Sequence, residues 1–248
     1  MIGKKIIQIE SVDSTNNYIA NLVNQNNIEH GTAILADEQT AGKGQKGNVW
    51  ISKPGDNLIT SIFVKHENLS VNEQYFLTIF VAISVAKTLK KIGIDAQIKW
   101  PNDIIVGNKK IAGILIENQI NSNQIKSSII GIGLNVNQLN LEEIGGTSIR
   151  SILNRFYSNY DILLSLIYEL NKDYNLIQNK LFIELKTEYM NLLWLINETS
   201  SFTDLLTNLE FNGIIRDIDL DGRIVIETKE GFKRFDLKEI KFNARIVP

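Results

Sequence analysis

Lys99-Trp100-Pro101-Asn102-Asp103-Ile104-Ile105-Val106-Gly107-Asn108-Lys109-Lys110-Ile111-Ala112-Gly113-Ile114-Leu115-Ile116-Glu117 reads as a strand end, a fixed turn and a hairpin. Ala96–Trp100 is a short strand that stops at Pro101-Asn102-Asp103, where a cation, an amide and a carboxylate sit close together. Ile104–Val106 and Ile111–Ile116 flank Gly107-Asn108, a hairpin turn signal between two apolar runs. Strand alternation sends Lys109 and Lys110 to opposite faces, so one can enter a site while the other stays solvated. Ala112-Gly113 leaves room for a group against the strand. Asn-Asp after Pro is also ordinary turn chemistry, and lysines after a turn are often surface residues.

Working outward, Gly131-Ile132-Gly133-Leu134-Asn135 puts two glycines into a strongly apolar strand, Ile125–Val136. Glycine weakens a strand, so the pair points either to close approach of another group or to a bulge. Upstream, Lys4–Glu10, Thr32–Ala36 and Leu58–Val64 read as strands. Ser14-Thr15 reads as the cap of a helix carrying Tyr18, Ile19, Leu22 and Val23. Asn72–Ile92 has Phe76, Ile79, Phe80, Ile83 and Leu89 at helical spacing. Downstream, Ser148–Phe156 and Asp161–Asn179 are helical. From about Trp194 the pattern turns to short β segments around Asp221-Gly222 and Gly231, which suggests a small barrel-like second unit.

Between Thr32–Ala36 and Leu58–Val64 lies Gly42-Lys43-Gly44-Gln45-Lys46-Gly47. The spacing matches a dinucleotide-binding fingerprint, but no helix begins after it, and that reading needs a helix N-terminus at the pyrophosphate. A kinase reading fails because the chain has neither His-Arg-Asp nor Asp-Phe-Gly. What remains is a loop whose glycines let backbone N–H groups approach an anion and whose lysines neutralise it. A solvated turn accounts for the same residues.

Composition narrows the chemistry. The 248 residues are 44% hydrophobic and 22% charged, with net charge −2 and no Cys. Disulfides, thiolate nucleophiles and Cys-ligated metals are excluded. Two His, His30 and His66, make a His-rich metal site or a His-based triad a poor fit. The charge balance gives no global basic field for nucleic acid. The N-terminus lacks the apolar core of a signal peptide. The longest uncharged apolar run, Tyr75–Ala86, falls short of the roughly 20 residues a membrane span needs. A cytoplasmic protein without a membrane partner is the expectation.

Taken together and in order, Asp13-Ser14-Thr15-Asn16-Asn17, Glu38–Trp50, Lys99–Asp103, Lys109–Glu117 and Gly131–Asn135 resemble the biotin–protein ligase family. The resemblance covers nearly the whole chain, and its ordered set of motifs is specific although each is weak alone. It implies an α/β (α+β) fold: a mixed β-sheet catalytic domain over residues 1–192, akin to class II aminoacyl-tRNA synthetases. Residues 193–248 would form a C-terminal SH3-like β-barrel. It implies a reaction in two steps, in which ATP activates biotin as biotinyl-AMP and the lysine of a biotin carboxyl carrier domain then accepts it. Both nucleophiles come from substrates, which suits a chain without Cys.

By that resemblance Ser14, Thr15 and Gln39 would bind the ureido ring, Gly42 and Lys43 would close over biotin, and Asn16 and Gln45 would be further biotin-binding residues. Trp50 would form an aromatic wall for biotin and nucleotide. Gly113, Gly131 and Gly133 would line the pocket. Lys110 would bridge the carboxylate and the α-phosphate, with Lys43 as the second catalytic cation. Lys99, Asn102, Asp103 and Asn135 would serve ATP, with Asp103 as the Mg2+ ligand. A homodimer through sheet edges is plausible for the family.

Two departures stand out. All six arginines (Arg150, Arg155, Arg216, Arg223, Arg234 and Arg245) follow residue 149, whereas family loops are often Arg-rich. Lys43 lacks the guanidinium fork, and Gln45 and Asn48 carry no charge, so a weaker hold on the adenylate is expected. Some family members also carry an N-terminal winged helix. Here the first strand begins by residue 4, so operator DNA is not expected as a partner. A lipoate–protein ligase, or a nucleotide-binding or SH3-like module without catalysis, are the competing readings. Their discriminators are a His-Asp pair after the glycine loop, absent here, and pyrophosphate exchange.

Overall fold

The hairpin at Gly107-Asn108 sits inside a seven-stranded sheet in the computed structural model, which describes residues 1–245. The strands are β1 (Lys5–Val12), β2 (Thr32–Gln39), β3 (Leu58–Ser70), β4 (Gln97–Lys99), β5 (Asp103–Val106), β6 (Lys109–Asn121) and β7 (Gln124–Leu134). Their order is β1-β2-β3-β7-β6-β5-β4. β1 and β2 are parallel and connected through helix α1 (Thr15–Asn24); the remaining neighbours are antiparallel.

Pleating divides the sheet into two faces with different tasks. Ile62 and Val64 of β3, Ile130 and Ile132 of β7, and Ala112 and Ile114 of β6 join the main core. That face is covered by α2 (Gln74–Lys91) and, after the short α3 (Ile149–Leu153), by α4 (Asn159–Gln178), with α5 (Phe182–Leu192) against α2. α2 is buried nearly all round, from Phe76 to Leu89, as its uninterrupted apolar run demands. The opposite face carries α1, whose Ile19 packs on Ile34 and Phe63. Ser14 occupies the N-cap position of α1 with extended backbone, but its side chain makes no cap hydrogen bond.

The second sheet is antiparallel: β8 (Thr199–Asp204), β9 (Leu209–Ile218), β10 (Ile224–Thr228), β11 (Gly231–Phe235) and β12 (Ile240–Arg245), ordered β11-β10-β9-β8-β12. The expected hairpins at Asp221-Gly222 and Gly231 are both present. This sheet docks beside β4: the Trp194 N–H donates to the Ile98 carbonyl (2.9 Å), and the buried Trp100 indole N–H donates to the Gly222 carbonyl (3.0 Å). Gly222, at φ +94°, admits the Tyr75 ring 2.6 Å from where a Cβ would stand. Only glycine permits both the conformation and the contact. Three elements were not anticipated from sequence. α5 buries only Leu185 and Tyr189, and β8 (Thr-Ser-Ser-Phe-Thr-Asp) lacks a strong apolar alternation, while β12 (Ile-Lys-Phe-Asn-Ala-Arg) alternates over only six residues. Among the described residues no helix is long and apolar enough to cross a membrane.

His66 lies on β3, and His30, in the turn before β2, accepts from the Lys65 backbone N–H at 3.1 Å. His66 sits where the β3–β7 register shifts, 8% exposed, with Nε2 2.9 Å from the Ser128 hydroxyl. Burial, then the neighbouring His30, pushes its pKa down from 6.5 to about 4. The unfolded chain therefore takes up a proton first as pH falls, and stability is lost between the unfolded and folded values. By the lower value the loss reaches roughly 3 kcal/mol. Urea unfolding of wild type and His66→Gln across this range should show a shallower acid loss in the variant. Equal slopes would mean His66 is not the group responsible.

Candidate active site

Three backbone rows lie on the α1 face of the sheet, and the first two form the floor of a cavity of about 270 Å3. In the first row Ile59, Gly133, Gly113 and Asp103 stand in register across β3, β7, β6 and β5; in the second, Ser61, Gly131 and Leu115 do so across β3, β7 and β6. The third places Phe63, Ile129 and Glu117 beneath α1. Three of these positions are glycine, so the sheet surface is stripped of side chains where the cavity is deepest.

What lies on the glycines explains them. A Cβ on Gly133 would meet the Trp50 ring at 2.4 Å, and one on Gly131 would meet Asn16 Oδ1 at 2.5 Å. Trp50 arrives from the glycine loop, which folds back on itself. Gly44 N–H donates to the Asn48 carbonyl (2.7 Å) and Trp50 N–H to the Gly42 carbonyl (3.0 Å). Gly42 is needed for that approach, because its Cβ would stand 2.4 Å from the Trp50 carbonyl oxygen. The Trp50 indole N–H is shielded from solvent and meets no acceptor among the described residues. A buried donor left unpaired is costly, and an acceptor entering the cavity would relieve it.

The start of α1 supplies a polar wall. Gln39 Oε1 accepts from the Thr15 backbone N–H (2.8 Å) and the Thr15 hydroxyl (3.0 Å). The Ser61 hydroxyl lies 2.6 Å from both Thr15 Oγ1 and Asn16 Oδ1, and Asn16 Nδ2 donates to Glu117 Oε2 at 2.6 Å. Ser14, Thr15, Asn16 and Ser61 are all buried.

The opposite end is ionic. Lys110 Nζ pairs with Asp103 Oδ1 at 2.6 Å and lies 5.8 Å from the Trp50 ring centroid. Its backbone is held by the loop after β7: Lys110 N–H donates to the Gly145 carbonyl and Thr147 N–H to the Lys110 carbonyl, both at 2.9 Å. Lys109 points away and pairs with Glu142 at 3.6 Å. Lys43 lines the cavity with its ammonium on Asn17 Oδ1 (2.5 Å), and Asn17 Nδ2 donates in turn to Asp13. The Asn17 amide is the main cause holding the Asp13 carboxyl below its ordinary value, with smaller help from the Ser14 backbone and Lys43. The site therefore offers a polar, hydrogen-bonding end, an apolar aromatic middle and a cationic end.

The family profile described as "Biotin/lipoate A/B protein ligase family" matches residues 8–135, just over half the chain and every residue of the cavity wall except Leu237. The chain belongs to that family. The bifunctional ligase/repressor BirA of Bacillus subtilis is 30% identical over 251 residues, covering 97% of this chain and 75% of that protein. BirA of Escherichia coli is 28% identical over 229 residues, covering 91% and 70%. The biotin protein ligase of Aquifex aeolicus, solved in complex with biotin and ATP, superposes with a TM-score of 0.80 at 27% identity over 98% of this chain and the whole of that one.

Within this ligase-family frame most residues expected from sequence converge. Ser14, Thr15, Asn16, Gln39, Lys43, Gln45, Trp50, Asn102, Asp103, Lys110, Gly113, Gly131 and Gly133 border the one cavity. Gly42 acts from behind the wall, through Trp50 and Gln39. Two expected nucleotide residues lie outside the cavity wall. Lys99 Nζ sits 5.6 Å from the Trp194 ring and 5.8 Å from Phe242, at the junction with the second sheet. Asn135 is buried behind Lys110, its amide donating to the Thr147 carbonyl at 3.0 Å. Asn102 donates to the Ile114 carbonyl at 2.5 Å, which ties the turn after the cis Trp100–Pro101 peptide to β6. Among the described residues no group of three or more His, Cys, Asp or Glu could hold a metal ion. Asp103 is the only carboxylate on the cavity wall among them.

Sequence reading missed Ser61, Glu117 and Leu237. Ser61 is a lone polar residue in an apolar strand, and only the β3–β7 register shows that it shares a row with Gly131. Leu237 reaches the cavity from the second sheet. Gly133→Ala should force the Trp50 ring off the floor, giving a red-shifted and more readily quenched tryptophan emission. An emission spectrum identical to wild type would show that the ring does not rest on Gly133.

Proposed function

We propose that this chain is an ATP-dependent ligase that makes biotinyl-5'-AMP and transfers the biotinyl group to a carrier-domain lysine. A biotin carboxylate oxygen attacks the α-phosphorus of ATP; the bond to the β-phosphate oxygen breaks and pyrophosphate leaves. The carrier's ε-amine then attacks the acyl carbon, AMP leaves with the phosphate oxygen, and the amine loses its proton. The observation that carries this reading is the Lys110–Asp103 pair at 2.6 Å, at one end of a glycine-floored slot whose other end is a polar network.

Each part has a task. The buried Ser14–Asn16, Ser61 and Gln39 wall suits the ureido group, which both donates and accepts hydrogen bonds. Trp50 over Gly113 and Gly133 suits the flat apolar bicycle. Lys110 stands where two anions that repel must meet, so its charge serves the approach of the carboxylate to the α-phosphate and the charge that develops there. Lys43 is the second cation over the carboxylate, with Gln45 beside it in the loop. Mg2+ enters as part of Mg·ATP. An ion carried by phosphates needs only one or two protein carboxylates, and Asp103 supplies one once biotin and ATP compete for Lys110. Asn102 places that turn, Asn135 holds the loop behind Lys110, and Lys99 anchors the junction beside it. A lipoyl dithiolane has no groups for the polar wall, and this favours biotin over lipoate.

The reading extends to the acceptor, a biotin carboxyl carrier domain, and to a catalytic unit over 1–192 and an SH3-like unit over 193–248. Residues 246–248 of the latter lie outside the described residues. It also includes a homodimer through sheet edges, of which β1 is one.

Biotin-dependent exchange of pyrophosphate into ATP tests the function. Wild type should exchange with biotin and not with lipoate; exchange with lipoate alone, or with neither, would refute it. Lys110→Ala should lower the exchange rate by at least about 100-fold, whereas Lys109→Ala should stay within about twofold, as for a solvated ion pair. Equal losses would mean the faces are misassigned. Gln45→Arg adds a guanidinium to the loop and should slow release of preformed biotinyl-AMP. An unchanged off-rate would remove the loop from adenylate retention.

A further inference from the structure

Glu117 closes one end of a chain of hydrogen bonds and fixes the direction of the links nearest to it. Its carboxylate has no proton to give and can only accept. The Asn16 amide, 2.6 Å away, must therefore turn its NH2 toward Glu117 and its Oδ1 toward Ser61. The Ser61 hydroxyl then gives its one proton to Asn16 Oδ1, and its oxygen faces Thr15 Oγ1, each 2.6 Å away. The Thr15 hydroxyl gives its own proton to Gln39 Oε1 at 3.0 Å, which the Thr15 backbone N–H also approaches, at 2.8 Å. With its oxygen so occupied, Gln39 is left with its NH2 beside Gly42, where a Cβ would stand 2.9 Å from Nε2. An amide side chain has nearly the same shape in its two orientations but opposite chemistry. Without a fixed acceptor beside it the Asn16 amide could turn over, and the Ser61 hydroxyl with it, whereas Gln39 stays held by the Thr15 backbone N–H.

We infer that Glu117 is a positioning residue: through Asn16 and Ser61 it sets which atoms at that end of the polar wall donate and which accept toward the substrate's ureido group. Glu117 is not among the residues bordering the cavity, so it acts through Asn16. The inference rests on the biotin reading above and adds a specificity determinant to it.

Exchanging the two groups tests it. Glu117→Gln offers Asn16 an NH2 and lets the amide turn over. Asn16→Asp sets two carboxylates against each other. The double variant Asn16→Asp/Glu117→Gln restores the direction: the amide now at position 117 donates to one oxygen of the carboxylate now at position 16, and the other oxygen still accepts from Ser61. Calorimetric titration of biotin into each protein should show each single variant binding roughly tenfold or more weakly, with the double variant regaining most of the loss. In pyrophosphate exchange the effect of the single variants should fall on KM for biotin, with KM for ATP unmoved. Loss of packing or of charge at residue 117 predicts instead that the double variant is at least as weak as Glu117→Gln. That result, or unchanged binding by Glu117→Gln, overturns the inference. Failure of the wild type to bind biotin overturns the underlying reading and is distinguished from both.

Discussion

A sheet can receive a flat ligand against its face only where side chains are withdrawn from it. Here Gly113, Gly131 and Gly133 fall in two adjacent rows of β6 and β7, and everything else in the site follows from that clearing. The withdrawal has a cost, since glycine in a strand loses more freedom on folding than other residues. It is offset on the other face of the same strands, where Ile114, Ile130 and Ile132 are buried under α2 and α4. One face of the strand secures the fold, so the other can be open.

The two ends of the clearing differ in how they are held. The polar end is built from neighbours that satisfy one another, so its groups are oriented before a ligand arrives. The ionic end is held as a pair, Lys110 with Asp103, whose side chains keep 41% and 31% of their exposure. A half-exposed ion pair of this kind contributes little to stability. It is therefore inexpensive to exchange for another anion, which a site that must handle a carboxylate and a phosphate requires. The surrounding loops support this division: Asn135 and Gly145–Thr147 fix the Lys110 backbone, while its ammonium remains free to change partner.

How much of this could be read in the residues depended on distance along the chain. Lys110 and Lys109 were separable because strand alternation is local, and the structure sends them to the cavity and to Glu142. The glycines at 131 and 133 signalled close approach, since an apolar strand gains nothing from them otherwise, and Asn16 and Trp50 are the groups that approach. Ser61 and Glu117 were illegible, because their significance lies in register between strands far apart in sequence. Lys99 looked like a phosphate partner beside Asn102 and Asp103; it pairs in register with Asp103 and shares its face of the sheet, but its ammonium lies by the Trp194 and Phe242 rings, which come from far along the chain. α5 stayed unread because a stripe of two buried residues is too thin to raise a helical period above its polar neighbours.

Leu237 makes the site a composite of the two ends of the chain. The glycine floor and the start of α1 are complete once residue 134 has been made; the last stretch of wall arrives about a hundred residues later, with the second sheet. During synthesis on the ribosome the floor can be assembled while its wall is still unmade. The order of translation thus places the closing of the cavity after the sheet that carries it.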